Sequence, residues 1–155
     1  METQVFRDPD EKVLGSAILL RLLRYWRRLA ENGRLPARAD IAPSDMIPLL
    51  PWLVLVDVTG PESFRYRLVG TGIVEHVGFD ATGMDVGEAY QGGDWPTIAK
   101  DYFYVARERK PCLTVFSTAF DPDNPTPLNY RRLLLPLAGD GENVDMFLGA
   151  IQFSD

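Results

Sequence analysis

The sequence predicts an α+β domain: a five-stranded antiparallel sheet with helices on one side and a further helix at the N-terminus. Three observations predict it. The runs Leu53 to Val58 and Phe64 to Val69 are rich in β-branched and aromatic residues and are separated by Thr59-Gly60-Pro61-Glu62, a turn signal that makes them a hairpin. Two longer stretches, Lys12 to Asn32 and Asp94 to Lys110, carry apolar residues at helical spacing. The last third of the chain reads as three strands separated by proline- and glycine-rich connections.

Residues 1–11 are polar and charged and read as a flexible N-terminus. From Lys12, Leu14, Ala17, Ile18, Leu22, Tyr25, Trp26 and Leu29 fall on one helical face, with Leu19, Leu20 and Leu23 widening it. Arg21, Arg24, Arg27, Arg28 and Glu31 fill the rest, and Gly33 stops the helix. So wide an apolar face needs a cover. The expectation is a homodimer through Ile18, Leu22, Tyr25, Trp26 and Leu29; packing within the chain is the competing reading. Four prolines between Gly33 and Pro51 mark a non-regular connection, with one helical turn near Ser44 to Ile47. The organisation expected is therefore 1–11 flexible, 12–50 helix and connection, 51–155 core.

In the second strand, Phe64, Tyr66 and Leu68 alternate with Arg65, Arg67 and Val69. Gly70, Thr71 and Gly72 break it, with Thr71 as N-cap of a short helix through Ile73, Val74 and Val77. Gly78 ends that helix in a left-handed conformation, and Gly83 ends the following loop. The stretch 84–94 is loop with one short helical turn. In the second long helix Pro96 suits the first turn and Asp94 complements the dipole, while Ile98, Ala99, Tyr102, Val105 and Ala106 form the buried stripe. Pro111 stops it. Strands follow at Cys112 to Phe120, Asn129 to Leu137 and Val144 to Phe153, joined by the excursion 121–127 and the turn AGDGEN at 138–143.

At 155 residues the chain is expected to be one domain with a self-sufficient core. A net charge of -6 argues against nucleic acid or an anionic membrane as partner. Cys112 is the single cysteine, so no internal disulfide forms. The N-terminus lacks the features of a signal peptide, and no apolar run approaches the roughly 20 residues that span a bilayer. The expected location is cytoplasmic.

The order of elements, together with GRLPARADIAP at 33–43, LLPWLVLVDV at 49–58, FRYRLVGT at 64–71, the glycines at 78 and 83, and YRRLLLPL at 130–137, resembles small single-domain bacterial PAS-like proteins, a group found mainly in alphaproteobacteria. The resemblance covers most of residues 20 to 153. It implies a PAS-like fold with a cavity between sheet and helices, and a sensory or regulatory role without an established reaction. No kinase, cyclase or DNA-binding segment is recognisable, so output is expected to pass through a separate signalling protein or the oligomeric state.

The candidate ligand-binding residues are Tyr66, Arg67, His76, Tyr102 and Arg131. Arg67 and Arg131 lie in strands beside apolar residues. If either enters the cavity, its guanidinium needs Asp57, Glu75 or a ligand anion; otherwise both sit on an exposed sheet face. Tyr66, Tyr102, Tyr104 and Tyr130 supply aromatic walls and hydroxyls, and serve equally as core. His76, the single histidine, is a haem-ligand candidate by the resemblance and a packing residue by its neighbours. Cys112 begins a strand after Pro111, unlike the helical cysteine of light-sensing relatives, and reads as buried and inert. One histidine and one cysteine are too few for a structural zinc site, and no serine sits in a G-x-S-x-G elbow. The glycines at 70, 72 and 78 lack phosphate-loop spacing, and Asp121, Asp123 and Asn124 lack an EF-hand frame. The sequence names no cofactor. The expected function is a sensory module that binds a small organic ligand, with a ligand-free interaction module as alternative. An enzyme acting on a small acid is a distant third, because no acid–base pair or nucleophile stands out.

Overall fold

The inner strands of the sheet present one row of side chains to each of two helical layers. The computed structural model describes residues 2–89, 95–117 and 129–154. Their elements are β1 (Glu2–Arg7), α1 (Ala17–Leu29), β2 (Leu53–Gly60), β3 (Ser63–Val69), α2 (Thr71–Val77), α3 (Val86–Ala89), α4 (Trp95–Glu108), β4 (Cys112–Ser117), β5 (Asn129–Leu137) and β6 (Met146–Ser154). Among the described residues six strands form one antiparallel sheet in the order β1-β4-β5-β6-β2-β3. Leu53, Leu55, Leu133, Leu135 and Leu148 face α1, while Val54, Val56, Leu134, Phe147 and Ile151 face α2 to α4.

The sixth strand corrects the expectation of a flexible N-terminus. Residues 2–7 pair with β4 from Glu2 against Ser117 to Arg7 against Cys112. Most of β1 is exposed, with Phe6 half-buried against the core. Backbone pairing with the edge of β4 holds it, which leaves no hydrophobic alternation to read.

The first helix begins later than its periodicity suggests. Gly15 takes φ +65°, a region that favours glycine, and breaks a short 3₁₀ turn at Glu11–Val13 from α1. Ser16 then caps α1 by accepting from the Leu19 amide. The face offered for a dimer is taken up by the chain's own sheet. Leu19, Leu22, Leu23, Tyr25 and Trp26 are buried, and Trp26 donates from Nε1 to the Pro136 carbonyl at 2.8 Å. Ile18 and Leu29 pack half-buried at the margin of the same core. Five such side chains at about 2 kcal/mol each place the cost of lifting α1 on the order of 10 kcal/mol. Packing within the chain therefore wins over pairing through this face. Between α1 and β2 the chain runs through successive 3₁₀ turns over Pro43–Trp52, longer than the single turn expected, with Met46 and Leu49 inward.

The hairpin of β2 and β3 forms as expected, but with a bulge. Leu55 pairs with Leu68 and Val56 with Tyr66, so Arg67 is the extra residue. Beyond it the alternation inverts: Leu68 turns to the α1 side, 45% exposed, and Val69 joins the face of Tyr66. Gly70, not Thr71, is the N-cap of α2, because a Cβ at 70 would run into the Pro51 carbonyl. Gly78 closes α2 at φ +94°, its amide donating to Val74. α4 carries Pro96 in its first turn and buries Ile98, Ala99, Tyr102 and Val105 as predicted. Asp94, the end of the predicted strand after Ser117 and the excursion 121–127 with its calcium candidates lie outside the described residues.

Candidate functional site

The bulge and the glycines at 70 and 72 create the site. The bulge turns Val69 onto the inner face beside Tyr66 and Val54. Gly70 lets α2 start against Pro51, and Gly72 lies flat on Trp52, where a Cβ would come within 2.8 Å of the indole. The helix thus leans over the end of the sheet and leaves a cavity of about 190 Å³. Its floor is Val54, Tyr66, Val69 and Ile151; Ile73 and Val77 of α2 form a roof, and Tyr130 and Phe153 close one side. After the left-handed Gly78 the chain folds back so that Phe79, 46% exposed, stands at the mouth.

The sequence-predicted residues do not converge here. Tyr66 lies in the cavity wall, and so does Tyr130. Arg67 points away, its Nε donating to both carboxylate oxygens of Asp57 at 3.0 Å. Asp57 was among the partners expected for it, but the pair is half in solvent and contributes at most about 1 kcal/mol. Arg131 is on the opposite face of the sheet, donating to the carbonyls of Val13 and Leu14 at 3.1 and 3.4 Å. It ties the N-terminal turn to β5. Tyr102 is core, ringed by Phe64, Phe147 and Trp95 at 5.2, 5.5 and 5.8 Å. His76 stands outside the wall. Its ring stacks on Phe153 at 4.4 Å and meets Trp52 edge-on at 5.6 Å, while Nδ1 donates to the Gly72 carbonyl at 3.0 Å. The expectation of a guanidinium or imidazole inside the cavity is therefore corrected: Arg67 is paired with Asp57, Arg131 lies on the other sheet face, and His76 stacks on Phe153.

A second constellation escaped the sequence reading. Arg132 is 1% exposed and Asp101 6%, and Arg132 Nη2 donates to Asp101 Oδ2. Thr114 donates to the same oxygen at 2.7 Å. The guanidinium lies between the rings of Tyr102 and Phe116, 5.1 Å from each. This buried cluster joins α4 to β4 and β5. Cys112 lies beside it, with its thiol pushed up to about 11 by burial first and by the charge of Asp101 second. Such a thiol stays protonated and inert, and it does not line the cavity. Among the described residues no group of three or more His, Cys, Asp or Glu is placed to hold a metal ion, and no helix is long and apolar enough to cross a membrane. Among the described residues the cavity lining is aliphatic and aromatic, with Tyr66 and Tyr130 in its wall.

A family described as PAS domain matches residues 15–152. No curated protein matches the sequence. Solved structures share the fold at low identity. An RNA-binding light-oxygen-voltage receptor aligns at TM-score 0.54 and 12% identity over 98% of this chain, which spans 38% of that one. A light-oxygen-voltage domain studied with a flavin analogue aligns at 0.52 and 16%, over 72% of this chain and 85% of that one. A fungal LOV domain photoreceptor aligns at 0.51 and 14%, over 92% and 94%.

Proposed function

This chain belongs to the PAS domain family, and we propose that it is a sensory module whose cavity between sheet and α2 holds a small molecule and whose output passes through contacts with a separate signalling protein. The observation that carries the reading is the cavity itself. It is apolar and open at Val77 and Phe79, and it is roofed by a short helix resting on glycines rather than by a packed layer. Occupancy would press on Val69 and α2. Their far side, with Leu68, Gly70 and Thr71, borders a second apolar groove, beside exposed Leu50. That groove is the observation favouring the alternative, a ligand-free interaction module. A cytoplasmic location and the narrower kinship with small bacterial PAS-like proteins remain part of the proposal, on the residue runs that carry the resemblance.

Native mass spectrometry of the purified protein, with the same sample then denatured, tests the reading. The expected result is a mass excess that disappears on denaturation. A bare mass, together with loss of partner capture in Leu68→Asp but not in Ile73→Phe, would overturn it in favour of the interaction module.

A further inference from the structure

The cavity selects among ligands by charge and by size. Val54, Val69, Ile73, Val77 and Ile151 present hydrocarbon to it, and Phe79 and Phe153 present rings. Among the described lining residues the polar side chains are Tyr66 and Tyr130, and no charged side chain lines it. Arg67 is paired with Asp57, and Arg131 is tied to carbonyls on the other sheet face. An ion entering from water would lose its hydration and meet no counter-charge. Size sets the second limit. The volume of about 190 Å³ exceeds a cavity of roughly 150 Å³ that admits benzene. It falls below the roughly 300 Å³ at which pockets for drug-sized molecules begin. Phe79, Phe153, Tyr66 and Tyr130 line this space, and aromatic rings pair favourably edge-on or offset.

Resting on the sensor reading, we infer that the cavity takes an uncharged single-ring aromatic molecule. A flavin has three fused rings and a nucleotide carries phosphate, so neither matches the volume and the uncharged lining of the described residues. Cys112, which a flavin adduct would need at the wall, is instead on β4 beside Thr114.

The test is calorimetric titration of the full chain at neutral pH with three probes of one shape: p-cresol, 4-methylbenzoate and 4-methylbenzylamine. Riboflavin serves as a large uncharged probe. p-Cresol is expected to bind at one site, and the two ions about a hundredfold more weakly. Riboflavin is expected not to bind. Ile73→Phe and Ile151→Phe fill the cavity from two different elements, and each is expected to weaken p-cresol binding at least about tenfold with unchanged far-UV circular dichroism. An ion or riboflavin that binds as well as p-cresol, and is blocked by the same substitutions, overturns the ligand class and leaves the sensor cavity standing. p-Cresol binding that both folded variants retain places it elsewhere and overturns the ligand class assigned to the cavity. Absence of binding by every probe up to millimolar concentration overturns the class, while the native mass excess decides the sensor reading separately.

Discussion

Removing Asp101 takes a carboxylate away from a buried guanidinium at the centre of the fold. Asp101→Ala leaves Arg132, 1% exposed, without the carboxylate that its Nη2 and the Thr114 hydroxyl share. Breaking one half of a buried pair costs about 3–5 kcal/mol, because the remaining guanidinium stays desolvated without that carboxylate. In a chain of 155 residues each kcal/mol moves the melting temperature by about 2–4 °C, so a fall of about 6–20 °C is expected. Replacing both partners tells a different story. Asp101→Leu with Arg132→Met keeps apolar bulk between Tyr102 and Phe116 and removes both desolvation costs. That double variant is expected to recover most of the loss, short only of the about 1–3 kcal/mol for the buried Thr114 hydroxyl left without its acceptor. Urea unfolding followed by circular dichroism on the four members of the cycle gives the coupling energy. If Asp101→Ala costs under about 1 kcal/mol, or if the double variant loses the sum of the singles, the buried pair is not what joins α4 to the sheet.

Four further outcomes follow from the same structure. Leu22→Asp places a carboxylate at a fully buried position and is expected to abolish cooperative unfolding; a folded, soluble monomer derived from a dimer would restore the interface expected from the sequence. Raising pH from the ordinary thiol value of 9.0 towards about 11 ionises Cys112 in the unfolded chain while the folded thiol stays protonated. Stability therefore falls across that window, by up to about 3 kcal/mol, and urea midpoints in Cys112→Ala should lack this component. The Asp140 carboxyl is held down to about 2 by the amides of Asn143 and Glu142, so its stabilising contribution is present above 3.8 and disappears as pH falls through about 2; a carboxyl resonance titrating at 3.8 would contradict the turn geometry. The net charge of -6 predicts no saturable binding of single-stranded RNA in fluorescence anisotropy at about 0.15 M salt.

What was legible in the sequence was local. β5 has the residues predicted for it, α4 lies within its predicted span, and Gly78 ends α2 in the left-handed region, because alternation, helical spacing and glycine conformation are decided within a few residues. What was missed depends on a partner far along the chain. β1 is a strand by virtue of β4, more than 100 residues away. The bulge at Arg67 is a matter of register against Val56 and Leu55, and without it Leu68 would line the cavity in place of Val69. Gly15 interrupts an apolar pattern that continues through it on the helical period, since Leu14 is buried without being helical.

The two adjacent arginines of β5 show where that boundary falls. The sequence offers Arg131 as a ligand anchor and gives Arg132 no role, yet strand parity separates them completely. Leu134 and Tyr130 face α4 and the cavity, so Arg132 does as well; Leu133 and Leu135 face α1, and Arg131 with them. The parity was readable. What was not readable was that both faces of the sheet are covered, because the first helix had been assigned to a dimer. Once α1 is laid on the sheet, neither arginine has an open face, and each must find an acceptor inside the fold. Arg131 finds the carbonyls of Val13 and Leu14. For Arg132 the acceptor was also in view: Asp101 falls three residues after Ile98 and four before Val105, on the buried stripe of α4. A carboxylate on such a stripe implies a buried cation opposite, and β5 offers one at the matching parity. The placement of a single helix thus decided whether the charged pair could be seen.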